Sequence, residues 1–107
     1  MAFFIKQNDT SPALQATLKD GAGTIVDLTG CSVRFHMRQV GDNSVKVDDA
    51  ATISDADNGV VYYTWSASDT DTIGSFEAEF EVTYAGGEIE SFPNNKFINV
   101  EITDDIT

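Results

Sequence analysis

The chain has 107 residues, of which 41% are hydrophobic and 22% charged, as expected for one globular domain. The formal net charge of −12 argues against nucleic-acid partners and anionic membrane surfaces, because both require a basic protein surface. The single cysteine excludes an intrachain disulfide, and the sequence shows neither a signal-peptide pattern nor an apolar run of the ~18 residues that a membrane span needs.

Short runs in which apolar and polar residues alternate recur about every ten residues, a spacing typical of β-sandwiches. The predicted strands are 3–7, 14–19, 31–39, 45–47, 60–65, 76–84, 88–92 and 96–103. Residues 25–28 continue on an extended path. The pair Asn58-Gly59 lies between two apolar runs and predicts a hairpin. Lys46 and the pair Asp48-Asp49 indicate that 45–47 is an edge strand, because charges there discourage unwanted pairing.

Residues 66–73 are the one stretch with helical character. Ser66 and Asp69 stand at the spacing of a capping box, which predicts one or two helical turns before Gly74. No internal repeat or linker interrupts the chain. The sequence therefore predicts one domain, 1–107, with an all-β, immunoglobulin-like sandwich of two antiparallel sheets.

The longest alternating run, 76–84, predicts the central strand of the core. Side chains alternate between the two faces of a strand, so each run has one apolar and one polar face. The residues predicted to face the core are Phe76, Ala78, Phe80, Val82 and Tyr84 in this run, Cys31, Val33, Phe35 and Met37 in 31–39, and Val61, Tyr63 and Trp65 in 60–65. The polar face of 76–84 carries Glu77, Glu79 and Glu81.

The acidic stretch 55–59 resembles a calcium-binding loop only superficially. An EF-hand loop needs a glycine at its sixth position and a glutamate at its twelfth. Counted from Asp55, Gly59 comes one position early and Ser66 occupies the twelfth position. We therefore interpret 55–59 as an ordinary turn and predict no metal or other cofactor.

Two pairs of acidic residues invite comparison with the carboxylates of glycoside hydrolases, Asp69 with Asp71 and Glu77 with Glu79. That chemistry needs two carboxyl groups across a cleft, one of them with a raised pKa. Glutamates on a wet strand face and aspartates near a helix cap do not meet this requirement, so we predict no catalytic residue.

Cys31 and His36 are the only residues that could form a thiol–imidazole pair. They are five positions apart in one predicted strand, so their side chains point to opposite faces. We therefore predict that Cys31 is a small core residue.

A candidate interface follows from the polar face of 31–39, which carries Arg34, His36 and Arg38. One interpretation is a patch that binds an acidic neighbouring subunit, with Val60 and Tyr62 adding an apolar component if they face outward. The competing interpretation is cross-strand pairing of the basic residues with the glutamates of 76–84.

Trp65, Tyr62 and Tyr63 permit a second functional class, a carbohydrate-binding module with an aromatic platform. Aromatic residues that point inward in a sandwich belong to the core, and we favour that interpretation for Trp65.

Several segments in order resemble one known family over most of the chain. The segments are 8–12, 18–23, 26–30, 33–38, 58–63, 74–82 and 91–94. They are similar to the N-terminal domain of the upper baseplate proteins of tailed bacteriophages. No single segment is diagnostic, because each consists of ordinary turn and strand residues.

The resemblance implies a β-sandwich that joins a central tail hub to peripheral parts of the virion. We expect a small tail or baseplate connector, made in the host cytoplasm and present in many symmetric copies, with other baseplate proteins as partners. The chain shows no further C-terminal domain, so a direct adhesin role is not expected. A carbohydrate-binding module and a capsid decoration or head-tail connector protein remain the alternatives.

Overall fold

A computed structural model of the protein describes residues 2–106, which form two β-sheets packed face to face. The nine strands within this range are β1 (Ala2–Lys6), β2 (Leu14–Thr17), β3 (Ser32–Gln39), β4 (Val45–Ala50), β5 (Thr52–Asp55), β6 (Val60–Tyr63), β7 (Gly74–Thr83), β8 (Ile89–Phe92) and β9 (Ile98–Thr103). A 3-10 turn, Ala67–Thr70, is the only helical element described. The prediction of an all-β sandwich is confirmed.

The two sheets differ in width. The large sheet has the order β1-β9-β7-β3-β4, and β8 pairs with the part of β7 that β9 leaves free. The small sheet has the order β2-β6-β5. Strand β4 lies at an edge of the large sheet, as the charges around Val47 predicted. Ala51 alone separates β4 from β5, so the chain crosses from one sheet to the other at this residue.

Strand β7 is the centre of the large sheet, as its alternation predicted. Phe76, Ala78, Phe80 and Val82 are all buried. The glutamates between them are half-buried on the outer face of the sheet. Tyr84 lies beyond the end of the strand and is also half-buried, and its hydroxyl donates a hydrogen bond of 2.6 Å to Glu90.

An aromatic cluster joins the two sheets. Phe35 of β3 stacks on Tyr63 of β6 with ring centroids 4.4 Å apart and an interplanar angle of 13°. The Trp65 ring meets the Phe35 ring edge-on, with the centroids 5.5 Å apart. The Phe80 ring lies on the large-sheet side, with its centroid 5.2 Å from that of Phe35. The core predicted for Val61, Tyr63 and Trp65 is therefore present. Cys31 lies just before β3 and packs half-buried against this core.

The Asn58-Gly59 hairpin joins β5 to β6, as predicted. Gly59 adopts a φ of +67°, and a Cβ at this position would lie 2.7 Å from the carbonyl oxygen of Val26. Both the turn and the close approach of the neighbouring backbone therefore require glycine.

The short helical stretch is stabilised as its spacing predicted. The backbone N–H of Ser66 donates a hydrogen bond of 2.9 Å to the carboxylate of Asp69. The helix is limited to Ala67–Thr70, within the one or two turns expected.

Two features differ from what alternation alone suggests. Strands β1 and β9 pair in parallel, whereas alternation shows which face a residue occupies and carries no information about strand direction. Residues 25–28 form no strand, because their backbone groups bind loop and turn residues. Val26 donates to the carbonyl of Leu18 at 3.0 Å, and Leu28 donates to that of Ala56 at 2.9 Å.

We predict that Phe35→Ala lowers the free energy of unfolding by about 3–5 kcal/mol, because it empties the contact between the sheets. Urea denaturation followed by tryptophan fluorescence measures this difference. The matched control is Phe4→Ala, at a side chain that is 65% exposed, for which we expect a change within about 0.5 kcal/mol. Equal losses in the two variants would contradict the assignment of Phe35 to the centre of the core.

Candidate functional site

The predicted basic residues lie together on the outer face of the large sheet. Strand β3 runs between β4 and β7, and its outward side chains include Arg34, His36 and Arg38. The strand register places these three directly opposite Glu81, Glu79 and Glu77, respectively. We call the three basic residues the β3 stripe.

Within the large sheet the β3 stripe is neutralised by carboxylates. Arg38 Nε lies 3.1 Å from Glu77 Oε1, and His36 Nδ1 lies 3.3 Å from Glu79 Oε2. The competing interpretation, cross-strand pairing with β7, therefore describes these two residues correctly. Pairs at a partly exposed surface contribute little stability individually, and they hold the side chains in one arrangement.

Arg34 forms a different pair from the one that its register suggests. Its Nε lies 2.9 Å from Asp48 Oδ1 on β4, and a second guanidinium nitrogen donates to the Asp48 backbone carbonyl at 3.0 Å. His36 Nε2 also lies 3.2 Å from Asp48 Oδ1, so the imidazole stands between carboxylates of β4 and β7. The hydrogen bond from Arg34 holds the pKa of Asp48 below its ordinary value, partly opposed by desolvation.

An open cleft of about 270 Å³ borders this network. Its lining includes the imidazole of His36, the carboxylates of Glu77 and Glu79, and the ring of Phe97. The Arg38 guanidinium lies 5.2 Å from the centre of the Phe97 ring, in the geometry of a cation–π contact. Charged groups on a rigid sheet surface, with one aromatic ring beside them, suit contact with another protein.

Val60 and Tyr62 do not extend the β3 stripe. They lie on β6 and face away from the core on the small sheet, where both are half-buried. The predicted interface residues therefore divide between the two opposite outer faces of the sandwich. Alternation indicated correctly that all of them point outward, but it does not assign strands to sheets.

A groove of about 520 Å³, which the sequence pattern did not indicate, opens between the two sheets at the free edge of β2. One wall is β2 with Leu18 and Lys19, and the other is the connection from Phe92 to Ile98. Lys96 lies in that connection and adopts a positive φ of 65°. Lys19 and Lys96 are remote in the sequence, so no local pattern indicated that they lie on one groove.

The candidate catalytic pairs are occupied by structural contacts. Asp69 accepts hydrogen bonds from the Tyr63 hydroxyl at 2.6 Å and from Ser66. Asp71 forms an ion pair with Lys46, and the hydrogen bond from Lys46 lowers the pKa of Asp71. Glu77 and Glu79 pair with the β3 stripe, as described above.

The acidic stretch 55–59 forms the turn that the Asn58-Gly59 pair predicted. Asn58 Nδ2 donates to Asp55 Oδ2 at 2.9 Å, which closes the turn before β6. Within residues 2–106, no three or more His, Cys, Asp or Glu side chains are grouped so that they could hold a metal ion.

Over the same residues, no helix has the length and apolar character to cross a membrane.

Two of the three aromatic residues considered for a sugar platform, Trp65 and Tyr63, are buried in the core. Trp65 and Tyr63 are each only 3% exposed, so neither can offer a ring face to a sugar. The Trp65 indole nitrogen is buried and has no hydrogen-bond partner among the described residues. The carbohydrate-binding alternative was therefore wrong about Trp65.

We predict that Arg34→Gln raises the pKa of the Asp48 carboxyl, because the hydrogen bond that favours its charged form is removed. The folded pKa lies below the ordinary value of 3.8, so the contribution of this pair to stability is present above that pH and is lost as the pH falls through the folded pKa. The stability difference between the wild type and the variant should therefore shrink in acid.

Carboxyl NMR titration of Asp48 and denaturation across the acid range measure these two effects. Arg38→Gln is the matched control, because it removes an arginine of the same strand and leaves the Arg34–Asp48 pair intact. An unchanged Asp48 midpoint in Arg34→Gln would contradict the assigned cause.

Comparison with known proteins adds one finding to this geometry. A search of curated proteins finds no significant match. The family model described as "BppU N-terminal domain" matches residues 3–106, which is nearly the whole chain and includes both sheets. The chain therefore belongs to the family of N-terminal domains of BppU, the phage baseplate upper protein.

Proposed function

We propose that this protein is a connector in the phage tail, joining neighbouring baseplate subunits through protein–protein contacts. Membership of the BppU N-terminal domain family makes it a structural component of the baseplate, and this observation carries the proposal. The virion tail is its place of action. Its synthesis in the host cytoplasm is part of the proposal.

The positions of the predicted interface residues support a connecting role. A connector must contact two neighbours at once, so it needs two separated surfaces. The β3 stripe lies on the outer face of the large sheet, and Val60 and Tyr62 lie on the outer face of the small sheet. These two faces are on opposite sides of the sandwich, so partners bound to them would not interfere.

The β3 stripe suits recognition by charge pattern. Its side chains are held by Asp48, Glu77 and Glu79, so little conformational entropy would be lost when a partner binds. A partner with the complementary pattern would be aligned by it, since electrostatic complementarity sets register and specificity. We propose other tail proteins and further copies of this chain as partners, in a closed symmetric assembly.

Catalysis, nucleic-acid binding and membrane binding form no part of the proposal. Asp69, Glu77, Glu79 and His36 all take part in structural hydrogen bonds or ion pairs. The formal net charge of −12 opposes contact with phosphate backbones and anionic lipids.

We predict that exchanging the signs of the stripe pairs, with Arg34→Glu, Asp48→Arg, Arg38→Glu and Glu77→Arg together, preserves folding and weakens incorporation into particles. The exchange keeps the two arginine–carboxylate pairs with reversed signs and inverts the pattern that a partner meets, while His36 keeps its contact with Glu79 and loses the one with Asp48. Replacing only the two arginines by glutamate would place carboxylates opposite carboxylates and destabilise the fold. Loss of folding could then not be distinguished from loss of binding.

Complementation of a phage that lacks the gene, followed by mass spectrometry of purified particles, measures incorporation. The matched control is Lys46→Asp with Asp71→Lys, which exchanges an ion pair outside the stripe. Normal incorporation of the stripe exchange would remove the stripe from the interface. Antibody labelling of capsids rather than baseplates would overturn the proposed location.

We also predict that Tyr62→Glu removes a different neighbour from the one lost by the stripe exchange, because its side chain faces outward on the opposite sheet. Crosslinking of particles with each variant identifies the neighbour that remains. Thr52→Glu, at the residue paired with Tyr62 on β5, is the control for added charge on that face. Loss of the same neighbour in both cases would contradict a two-sided connector.

A further inference from the structure

Two lysines on the groove beside β2 stand out from the other basic residues. Arg34, Arg38 and Lys46 pair with carboxylates, and Lys6 donates to the backbone carbonyl of Asp104. The remaining two, Lys19 and Lys96, form no ion pair or side-chain hydrogen bond among residues 2–106. Both line the groove of about 520 Å³.

The groove also offers a free strand edge. Strand β2 is the last strand of the small sheet, and within the described part of the chain only β6 pairs with it along Leu14–Thr17. Such an edge leaves backbone N–H and C=O groups available for an added strand. The half-buried side chains of Ala16 and Ile98 and the exposed ring of Phe97 form part of the groove lining, so an incoming apolar side chain would meet apolar surface.

The chain itself contains a segment complementary to this groove. Residues 104–106 follow β9 with the sequence Asp-Asp-Ile and have no regular secondary structure. Ile106 is 97% exposed, the largest exposure among the exposed large hydrophobic side chains. An acidic extended segment with one exposed apolar side chain matches a groove with two free lysines and an apolar lining.

The segment does not lie in the groove of its own chain. Phe97 and Ile98, at the start of β9, line the groove, whereas residues 104–106 leave the opposite end of that strand. The backbone carbonyl of Asp104 accepts a hydrogen bond from Lys6, and the Ile106 side chain is almost fully exposed, so neither residue is held in the groove of its own chain. The groove is therefore open to the corresponding segment of a second copy.

We propose that residues 104–106 of one copy bind along β2 in the groove of the next copy, with Lys19 and Lys96 facing Asp104 and Asp105. The contact is head-to-tail, since groove and segment are different surfaces, and repetition of it generates a ring if the rotation closes. The net charge of −12 makes most contacts between copies repulsive, so the groove with its two free lysines is where an acidic segment meets least opposition. This inference rests on one part of the proposed function, the contact between copies of the chain, and names the surfaces that form it.

Two complementary variants of the full chain test this arrangement. The groove variant is Lys19→Glu with Lys96→Glu, and it keeps the segment. The segment variant is Asp104→Asn, Asp105→Asn and Ile106→Ser, and it keeps the groove. Sedimentation velocity at increasing concentration, up to millimolar protein, measures association, and circular dichroism with thermal unfolding checks that each variant folds like the wild type.

We expect the wild type to associate beyond the dimer, and each variant alone to associate roughly tenfold or more weakly. The groove variant replaces charge pairing by repulsion, and the segment variant loses both charge pairing and apolar burial. An equimolar mixture of the two variants should recover association and stop at a one-to-one dimer, because only one intact groove and one intact segment remain to meet. The control variant Asp57→Asn with Glu88→Gln removes two negative charges elsewhere and should behave as the wild type.

A wild type that stays monomeric overturns the proposal, even if another baseplate protein binds the groove. A mixture that associates no better than its components overturns the head-to-tail arrangement. Neither result bears on the connector role, which is tested on particles, and absence of the protein from particles would leave the association of the isolated chain unaffected.

Discussion

The stacking of Phe35 on Tyr63 is the contact on which the rest of the structure depends. It joins the central region of the large sheet to the middle strand of the small sheet, at a ring separation of 4.4 Å. Tyr63 then continues the connection, because its hydroxyl donates to the buried Asp69. Asp69 in turn accepts from Ser66 at the start of the 3-10 turn that leads towards β7. One aromatic pair therefore couples both sheets and the turn. Burial of the Tyr63 phenol, followed by its hydrogen bond to Asp69, raises the pKa of this hydroxyl, so it remains a donor.

The outer surface of the large sheet follows from the same contact. If Phe35 points into the core, its neighbours Arg34 and His36 must point outward, because side chains on a strand alternate. A shift of β3 by one residue would bury these charges and expose the aromatic ring. The arrangement of charges on the surface is thus enforced by the apolar side of the same strand. The register of β3 therefore determines both the packing of the core and the pattern of charges that a partner meets.

The sequence predicted which face of a strand each side chain occupies, but not which strands lie side by side. Alternation correctly assigned Phe76, Phe80 and Val82 to the core, and the Asn58-Gly59 pair correctly located a hairpin. Alternation could not reveal that Arg34 pairs with Asp48 rather than with Glu81, because this pairing depends on which strand lies on the other side of β3.

Sheet membership was the main gap in the candidate site. Val60 and Tyr62 point outward as expected, yet they belong to the opposite sheet from the β3 stripe. The groove lysines are 77 positions apart, as counted from Lys19 to Lys96, and only tertiary structure brings them to one surface. Local pattern fixes the orientation of a side chain, whereas the distance between two remote side chains depends on topology.

The parallel pairing of β1 with β9 has a mechanical consequence. Ala2 pairs with Asn99 and Lys6 with Thr103, so the two strands run side by side in the same direction. A pulling force applied between Ala2 and Thr103 acts along both strands in opposite senses and loads their hydrogen bonds in shear. Bonds loaded in shear share the force and must fail nearly together, whereas an antiparallel pair pulled from adjacent ends would open one bond at a time. The topology of these two strands therefore gives this fold high resistance to tension along that axis.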